Sequence, residues 1–248
     1  MILELDAGNT RIKWRLLASD GVVHEAGAVH SLEELSESLW NLSGSPRAVR
    51  VVSVRETRFR QQLSDALQES VGLAPEYAAV TRQCGGLSTA CTDLARLGVD
   101  RWLVTLAAWH RDPGACAVID CGSAVTLDLV DSAAVHRGGY IVPGLSMQLD
   151  ALLERTGIRF LTSPRWGGVL PGDVTETAVC NGIFSMMLTW LESDAAVREA
   201  SGSGRLYLTG GDGGLLRPAL ERAGLSVNHV PDLVMDGLSY ACPGSEGA

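Results

Sequence analysis

Two short segments place an aspartate, a glycine and small polar side chains in a tight turn: Asp6-Ala7-Gly8-Asn9-Thr10 and Asp120-Cys121-Gly122-Ser123-Ala124. Each follows a short apolar run, Met1–Leu5 or Ala115–Ile119, and leads into another, Ile12–Leu17 or Val125–Val130. A turn between strands exposes backbone N–H groups, and a glycine lets that backbone approach a phosphate closely. A carboxylate beside it can hold a hydrated Mg²⁺. In the first copy Asn9 and Thr10 add side-chain donors, and Lys13 adds positive charge from the following strand. One such turn alone reads slightly better as a simple hairpin. Its recurrence about half a chain later points to a duplicated nucleotide-binding domain, with two loops holding phosphates between them. The chemistry is then phosphoryl transfer rather than dinucleotide binding.

Other segments carry chemistry-bearing residues. Gly98-Val99-Asp100-Arg101 interrupts a helical stretch. Asp100 reads either as the N-cap of the next helix or as a carboxylate that accepts a hydroxyl proton beside an anion-gripping guanidinium. Gly138-Gly139-Tyr140-Ile141-Val142-Pro143-Gly144 reads as a strand-to-helix bend or a ligand contact, with Pro143 able to start the helix. Leu206-Tyr207-Leu208-Thr209-Gly210-Gly211-Asp212-Gly213-Gly214 has more glycines than a plain strand-to-helix turn needs, so bare backbone there can meet a base or ribose. Asp173-Val174-Thr175-Glu176 reads as a helix start. Thr126 and Asp128 continue polar chemistry along the strand after the second turn, and none of the five scattered histidines is assigned a catalytic role.

The elements that must position these residues follow from periodicity. The first half predicts strands at Ile2–Asp6, Arg11–Leu17 and Val22–Ala28, a helix at Ser31–Leu42 with a Ser31/Glu34 capping box, and a strand at Ala48–Val54. A helix at Glu56–Val71, a strand near Glu76–Val80 and a helix from Thr92 to His110 follow. The second half predicts strands at Cys116–Asp120, Val125–Val130 and Ala134–Ile141, a helix after Gly144 to Arg155, and a helix from Asp173 to Leu191. A surface loop at Ser201–Gly204, a strand at Arg205–Thr209, a helix at Leu215–Ala223, a strand at Ser226–Val230 and a helix at Asp232–Cys242 complete it. Three strands and then alternating helices and strands, done twice, is an α/β pattern with mixed sheets. The breakers Pro113-Gly114 set a boundary between residues 1–112 and 113–248.

Composition excludes other classes. The 248 residues are 46% hydrophobic and 20% charged, an ordinary globular balance. A net charge of -9 opposes non-specific binding of nucleic acid. The N-terminal residues lack the basic and apolar regions of a signal peptide, and no apolar run is long enough to span a bilayer. The six cysteines show no CxxC pair and no zinc spacing with histidine. They read as small hydrophobes in a reduced, cytoplasmic protein.

Taken together the motifs resemble the type III pantothenate kinases, of the acetate and sugar kinase/heat-shock chaperone/actin superfamily. The matching pieces are Asp6–Thr10 with Lys13, Gly98–Trp102, Asp120–Asp128, Gly138–Gly144, Thr175–Ala178 with Gly182, and Thr209–Gly211. The resemblance implies duplicated actin-like (ribonuclease H-like) α/β domains, each a mixed sheet flanked by helices, with a cleft between them. It implies ATP-dependent phosphorylation of pantothenate, the first step of coenzyme A synthesis, by a homodimer using Mg²⁺ with ATP and a monovalent cation, K⁺ or NH₄⁺. By resemblance, Asp6, Ala7, Gly8, Asn9, Thr10, Arg11, Ile12, Lys13 and Ser123 bind ATP. Asp100 is the catalytic base, Gly98, Val99, Asp100, Arg101 and Thr175 bind pantothenate, and Asp120 holds K⁺. Two departures stand out: Ser123 replaces the family's usual threonine, and Cys91 stands where many members carry a substrate-contacting tyrosine. Two other readings stay open: a ligand-binding accessory factor without turnover, and a kinase of another small hydroxylated substrate.

Overall fold

The computed structural model describes residues 1–242. It divides into two compact units, Met1–Ala107 together with the stretch from Leu233 onward, and Ala108–Asp232.

The first unit opens with β1 (Ile2–Ala7), β2 (Ile12–Leu17), β3 (Val23–Val29), α1 (Leu32–Trp40), β4 (Ala48–Ser53), α2 (Thr57–Val71) and β5 (Pro75–Tyr77). The strands lie in the order β3-β2-β1-β4-β5. β1 is antiparallel to β2 and parallel to β4, so the sheet is mixed. Alternation decides the core: Leu3, Leu5 and Ala7 of β1 and Ile12, Trp14 and Leu16 of β2 face one side. They pack against Leu35 and Leu39 of α1 and Phe59, Leu63 and Leu67 of α2. Ser31 caps α1 as predicted, its hydroxyl accepting from the Glu34 N–H at 3.1 Å. The Glu34 carboxylate reaches one residue further back than a capping box requires and accepts from the His30 N–H at 2.8 Å.

Between β5 and the next long helix the prediction needs correction. Residues 83–89 form a hairpin, β6 (Gln83–Cys84) and β7 (Leu87–Thr89), turned by Gly85 and Gly86 at positive φ. A Gly-Gly pair is a hairpin signal, but strands this short show no alternation to accompany it. The helix expected from Thr92 is a 3₁₀ turn, Leu94–Arg96, capped by Asp93, followed after Gly98 by α3 (Val99–Arg111).

The second unit repeats the plan with β8 (Cys116–Cys121), β9 (Ala124–Val130), β10 (Val135–Pro143), α4 (Leu145–Arg155), α5 (Thr175–Ser193), α6 (Ala195–Gly202), β11 (Leu206–Thr209), α7 (Gly213–Arg222) and β12 (Asn228–His229). Its strand order, β12-β11-β8-β9-β10, mirrors that of the first sheet. β8–β9 and β9–β10 are antiparallel, and β11 runs parallel to β8 and β12. Ile119, Val125, Leu127 and Leu208 form the core with Leu145, Phe184, Met187, Leu191 and Leu216. Pro143 is the last residue of β10, paired with Ala124, rather than the first of α4; Gly144 stands at the cap. Of the predicted loop at Ser201–Gly204, Ser203 and Gly204 form an exposed turn, but Ser201 and Gly202 end α6, and Ser201 is buried and accepts from the Ser226 N–H. That helix is rich in Ser, Gly and Ala, which masks its period.

The final stretch makes two short helices, α8 (Leu233–Asp236) and α9 (Leu238–Ala241), rather than one. They rejoin the first unit, α8 against β1 and α9 against β4. Among the described residues no helix is long and apolar enough to cross a membrane.

Candidate active site

In the first unit Asp6 stands opposite Lys13, and Ala7 opposite Ile12, where the β1–β2 ladder closes. Ala7 and Ile12 are buried in the core, so only their backbone can serve a ligand. Asn9, Thr10 and Arg11 are exposed at the tip. The turn is tied to the sheet edge by His30, whose Nδ1 lies 3.3 Å from the Thr10 carbonyl. A Cβ on Gly8 would meet the Arg11 carbonyl at 3.4 Å, an ordinary contact, so packing alone does not require glycine there.

Asp100 lies in the first turn of α3, not at its cap, because the helix already includes Val99 and the Trp102 N–H donates to the Gly98 carbonyl. This corrects the N-cap reading. The Asp100 carboxylate bends back and accepts from the Arg101 N–H at 2.8 Å. A Cβ on Gly98 would sit 2.5 Å from Asp100 Oδ1, so the glycine makes room for that carboxylate. Trp102, Leu103 and Leu106 are completely buried and anchor the helix behind it. Cys91, in the same unit, is half-buried; its thiol donates to the Asp93 carbonyl, and Arg82 holds the Thr89 and Cys91 carbonyls.

In the second unit three segments far apart in sequence converge. The β8–β9 turn closes with the Gly122 N–H on the Ala124 carbonyl at 3.0 Å. The end of β10 meets it through the Gly144 N–H, which donates to the Ser123 carbonyl at 2.9 Å. The loop after β11 meets it through the Asp212 N–H, which donates to the Cys121 carbonyl at 2.9 Å. Both approaches need glycine: a Cβ on Gly144 would lie 2.5 Å from the Gly122 carbonyl oxygen, and one on Gly210 would lie 2.5 Å from Asp120 Oδ1. Gly210 also has φ +87°, which favours glycine. Asp212, inside the glycine-rich segment, is an acidic residue at this knot that no sequence motif singles out. Its charge and that of Asp120 add to burial in pushing the Cys121 thiol well above its usual pKa.

Thr175 is the exposed first residue of α5. The helix start is organised by its neighbours: the Thr177 hydroxyl accepts from the Val174 N–H and donates to Asp173, and Glu176 accepts from the Leu161 N–H at 2.7 Å. That N–H holds the Glu176 carboxyl below the usual range. Asp128 does not belong with these groups. It is completely buried, and its Oδ1 lies 2.8 Å from His136 Nε2, stapling β9 to β10 beside the bulge between His136 and Gly138. All six cysteines are reduced thiols; burial pushes Cys116 and Cys242 up to about 12.

A family model for type III pantothenate kinases matches residues 2–195. The chain belongs to this family. It is 41% identical over 251 aligned residues to a type III pantothenate kinase from Pseudomonas paraeruginosa, covering 98% of this chain and 99% of that one. It is 38% identical to another from Ectopseudomonas mendocina with the same coverage. Among solved structures, a Baf family transcriptional activator from Campylobacter jejuni superposes with a TM-score of 0.58 at 20% identity, covering 96% of this chain and 95% of that one. A 2-dehydro-3-deoxygalactonokinase-type protein from Sinorhizobium meliloti gives 0.58 at 15% identity, over 96% and 97%. At these identities the likeness is one of fold. It agrees with the expected class: duplicated actin-like α/β units, each a mixed sheet flanked by helices.

Proposed function

We propose that the protein transfers the γ-phosphoryl group of ATP to the primary hydroxyl of pantothenate, the first step of coenzyme A synthesis. The observation that carries this reading is the Asp100 carboxylate, held by the Arg101 N–H over Gly98 in the same unit as the Asp6–Lys13 turn. The hydroxyl oxygen attacks the γ-phosphorus, the bond to the β–γ bridging oxygen breaks, ADP leaves, and Asp100 takes the proton. Most of the acceleration comes from positioning and charge stabilisation, with roughly 10²–10⁴-fold from the base.

Asp6, Gly8, Asn9, Thr10, Arg11 and Lys13 then face the ATP phosphates, with Ala7 and Ile12 contributing backbone, and Ser123 contacts ATP from the second turn. Gly98 to Arg101 and Thr175 bind pantothenate, with Arg101 holding either the substrate's anion or the charge that develops during transfer. Mg²⁺ commonly takes one or two carboxylates and keeps its waters, so Asp6 at the mouth of an exposed turn suits it. When bound it neutralises charge on the phosphates. A monovalent cation, K⁺ or NH₄⁺, suits Asp120, whose Oδ1 and the Cys121 carbonyl oxygen each lie 2.5 Å from where a Cβ on Gly210 would stand. A homodimer is supported by exposed apolar side chains of the second unit: Tyr140, packed edge-on against Trp190, and Met147 and Met186 are each about half exposed. Six cysteines outside any disulfide support a cytoplasmic setting.

The test is ADP release with pantothenate, with and without K⁺, alongside a panel of other hydroxy acids. ADP formation with pantothenate that K⁺ stimulates is the expected result. ADP only with another acceptor, or ATP binding without turnover, overturns the reading.

A further inference from the structure

Glu4, Arg15 and Arg50 meet across three neighbouring strands of the first unit, on the face of the sheet opposite its α1–α2 core. All three are buried. Arg15 Nε and Nη2 hold Glu4 Oε2 at 2.8 and 2.7 Å, and Arg50 Nη1 holds Glu4 Oε1 at 3.2 Å. Both oxygens of Glu4 are therefore engaged, and Arg15 Nη1 needs a second acceptor. It comes from the far end of the chain: Arg15 Nη1 donates to Asp236 Oδ1, on α8, at 2.8 Å. Burial opposes the charge on Arg15, but Glu4 and Asp236 outweigh it and raise its pKa.

The next residues on that same face, one rung toward the turn, are Asp6 on β1 and Lys13 on β2. Asp6 is thus the diagonal neighbour of Arg15 across the ladder, about 7–8 Å away and within reach of a long side chain. A guanidinium deprived of Asp236 has Asp6 as its nearest alternative carboxylate on this ladder.

We propose that Asp236 is a positioning residue for phosphoryl transfer: it holds Arg15 against α8 and so keeps that guanidinium off Asp6. The inference rests on the reading that Asp6 serves Mg²⁺-ATP. An arginine paired with Asp6 competes with the metal–nucleotide, so the defect appears in nucleotide binding and not in pantothenate binding. Helix α8 thereby tunes the turn between β1 and β2.

The experiment compares full-length wild type with Asp236→Asn, Asp236→Glu, the double variant Arg15→Gln/Asp236→Asn, and Asp6→Asn. KM for Mg²⁺-ATP, KM for pantothenate, kcat, Mg²⁺-ATP binding by calorimetry and thermal midpoint are measured for each. Asp236→Asn is expected to raise KM and Kd for Mg²⁺-ATP about tenfold, with pantothenate KM within about twofold. Asp236→Glu keeps the wild-type values. The double variant, lacking the intrusive charge, returns Mg²⁺-ATP affinity to within about twofold of wild type even where its thermal midpoint stays low. Unchanged Mg²⁺-ATP affinity in Asp236→Asn overturns the proposal, as does a double variant no better than the single, which marks a merely structural contact. Should Asp236→Asn not fold, the double variant decides alone: weak Mg²⁺-ATP binding by it overturns the proposal. Asp6→Asn separates the two ideas, because undiminished Mg²⁺-ATP binding there removes the reading of the site itself.

Discussion

The backbone N–H of Gly144 donates to the carbonyl oxygen of Ser123 over 2.9 Å, joining the end of β10 to the β8–β9 turn. The contact leaves no room for a side chain, since a Cβ on Gly144 would lie 2.5 Å from the Gly122 oxygen and 2.6 Å from the Ser123 oxygen. Gly144→Ala is expected to displace the turn, lowering stability by about 1–3 kcal/mol and raising KM for ATP. Chemical denaturation and steady-state kinetics on the same preparation check both effects.

Asp100 is assigned the proton of the acceptor hydroxyl. Asp100→Asn should lower kcat by roughly 10²–10⁴-fold while Mg²⁺-ATP binding, measured by calorimetry, stays near wild type. Turnover close to normal in a folded variant removes Asp100 as the base.

Burial raises the Cys116 and Cys242 thiols from an ordinary 9.0 to about 12. The sign follows: above pH 9 the unfolded chain loses these protons while the folded chain keeps them, so stability is fully present below pH 9 and falls as pH rises toward 12. The expected slope is about 1.4 kcal/mol per pH unit for each thiol. Urea unfolding at pH 8, 9.5 and 10.5 tests it, and Cys116→Ala should make the slope shallower.

The cation assignment concerns Asp120. Replacing K⁺ by a large organic cation should slow ADP release with pantothenate, and Asp120→Asn should abolish the response to K⁺. Activity that is indifferent to K⁺ in wild type contradicts it.

Met186 is one of the exposed apolar residues proposed for pairing. Met186→Glu should shift the protein toward monomer in sedimentation velocity. A wild type that is already monomeric at micromolar concentration disposes of the homodimer.

The turn at Asp6–Thr10 was legible because its neighbours are local: the apolar strands on either side and the glycine between them are one hairpin. The duplication was legible for the same reason, as was Ser31 as a cap, since each depends on residues a few positions apart. Asp100 stands out in the sequence, but its place inside the helix does not, because Gly98 reads locally as a helix breaker, whereas its carbonyl accepts from the N–H of the fully buried Trp102 and closes the first turn of α3. Asp128 misled. Its position after Asp120 suggested site chemistry, whereas its partner His136 lies on the next strand across a bulge that shifts the register. The β6–β7 hairpin and α6 were missed because very short strands and a Ser/Gly/Ala-rich helix carry little periodic signal.

By itself, the amino-acid sequence determined the two Asp-x-Gly turns, the repeated order of strands and helices, and the motifs that mark the family, all properties of contiguous residues. Only the tertiary structure decided that residues 120–124, 143–144 and 210–212 share one knot of backbone hydrogen bonds. It also brought Asp236 to Arg15, two positions 221 residues apart. Such contacts arise when sheet order, register and helix docking bring distant segments together, and no local pattern records which distant segment will arrive.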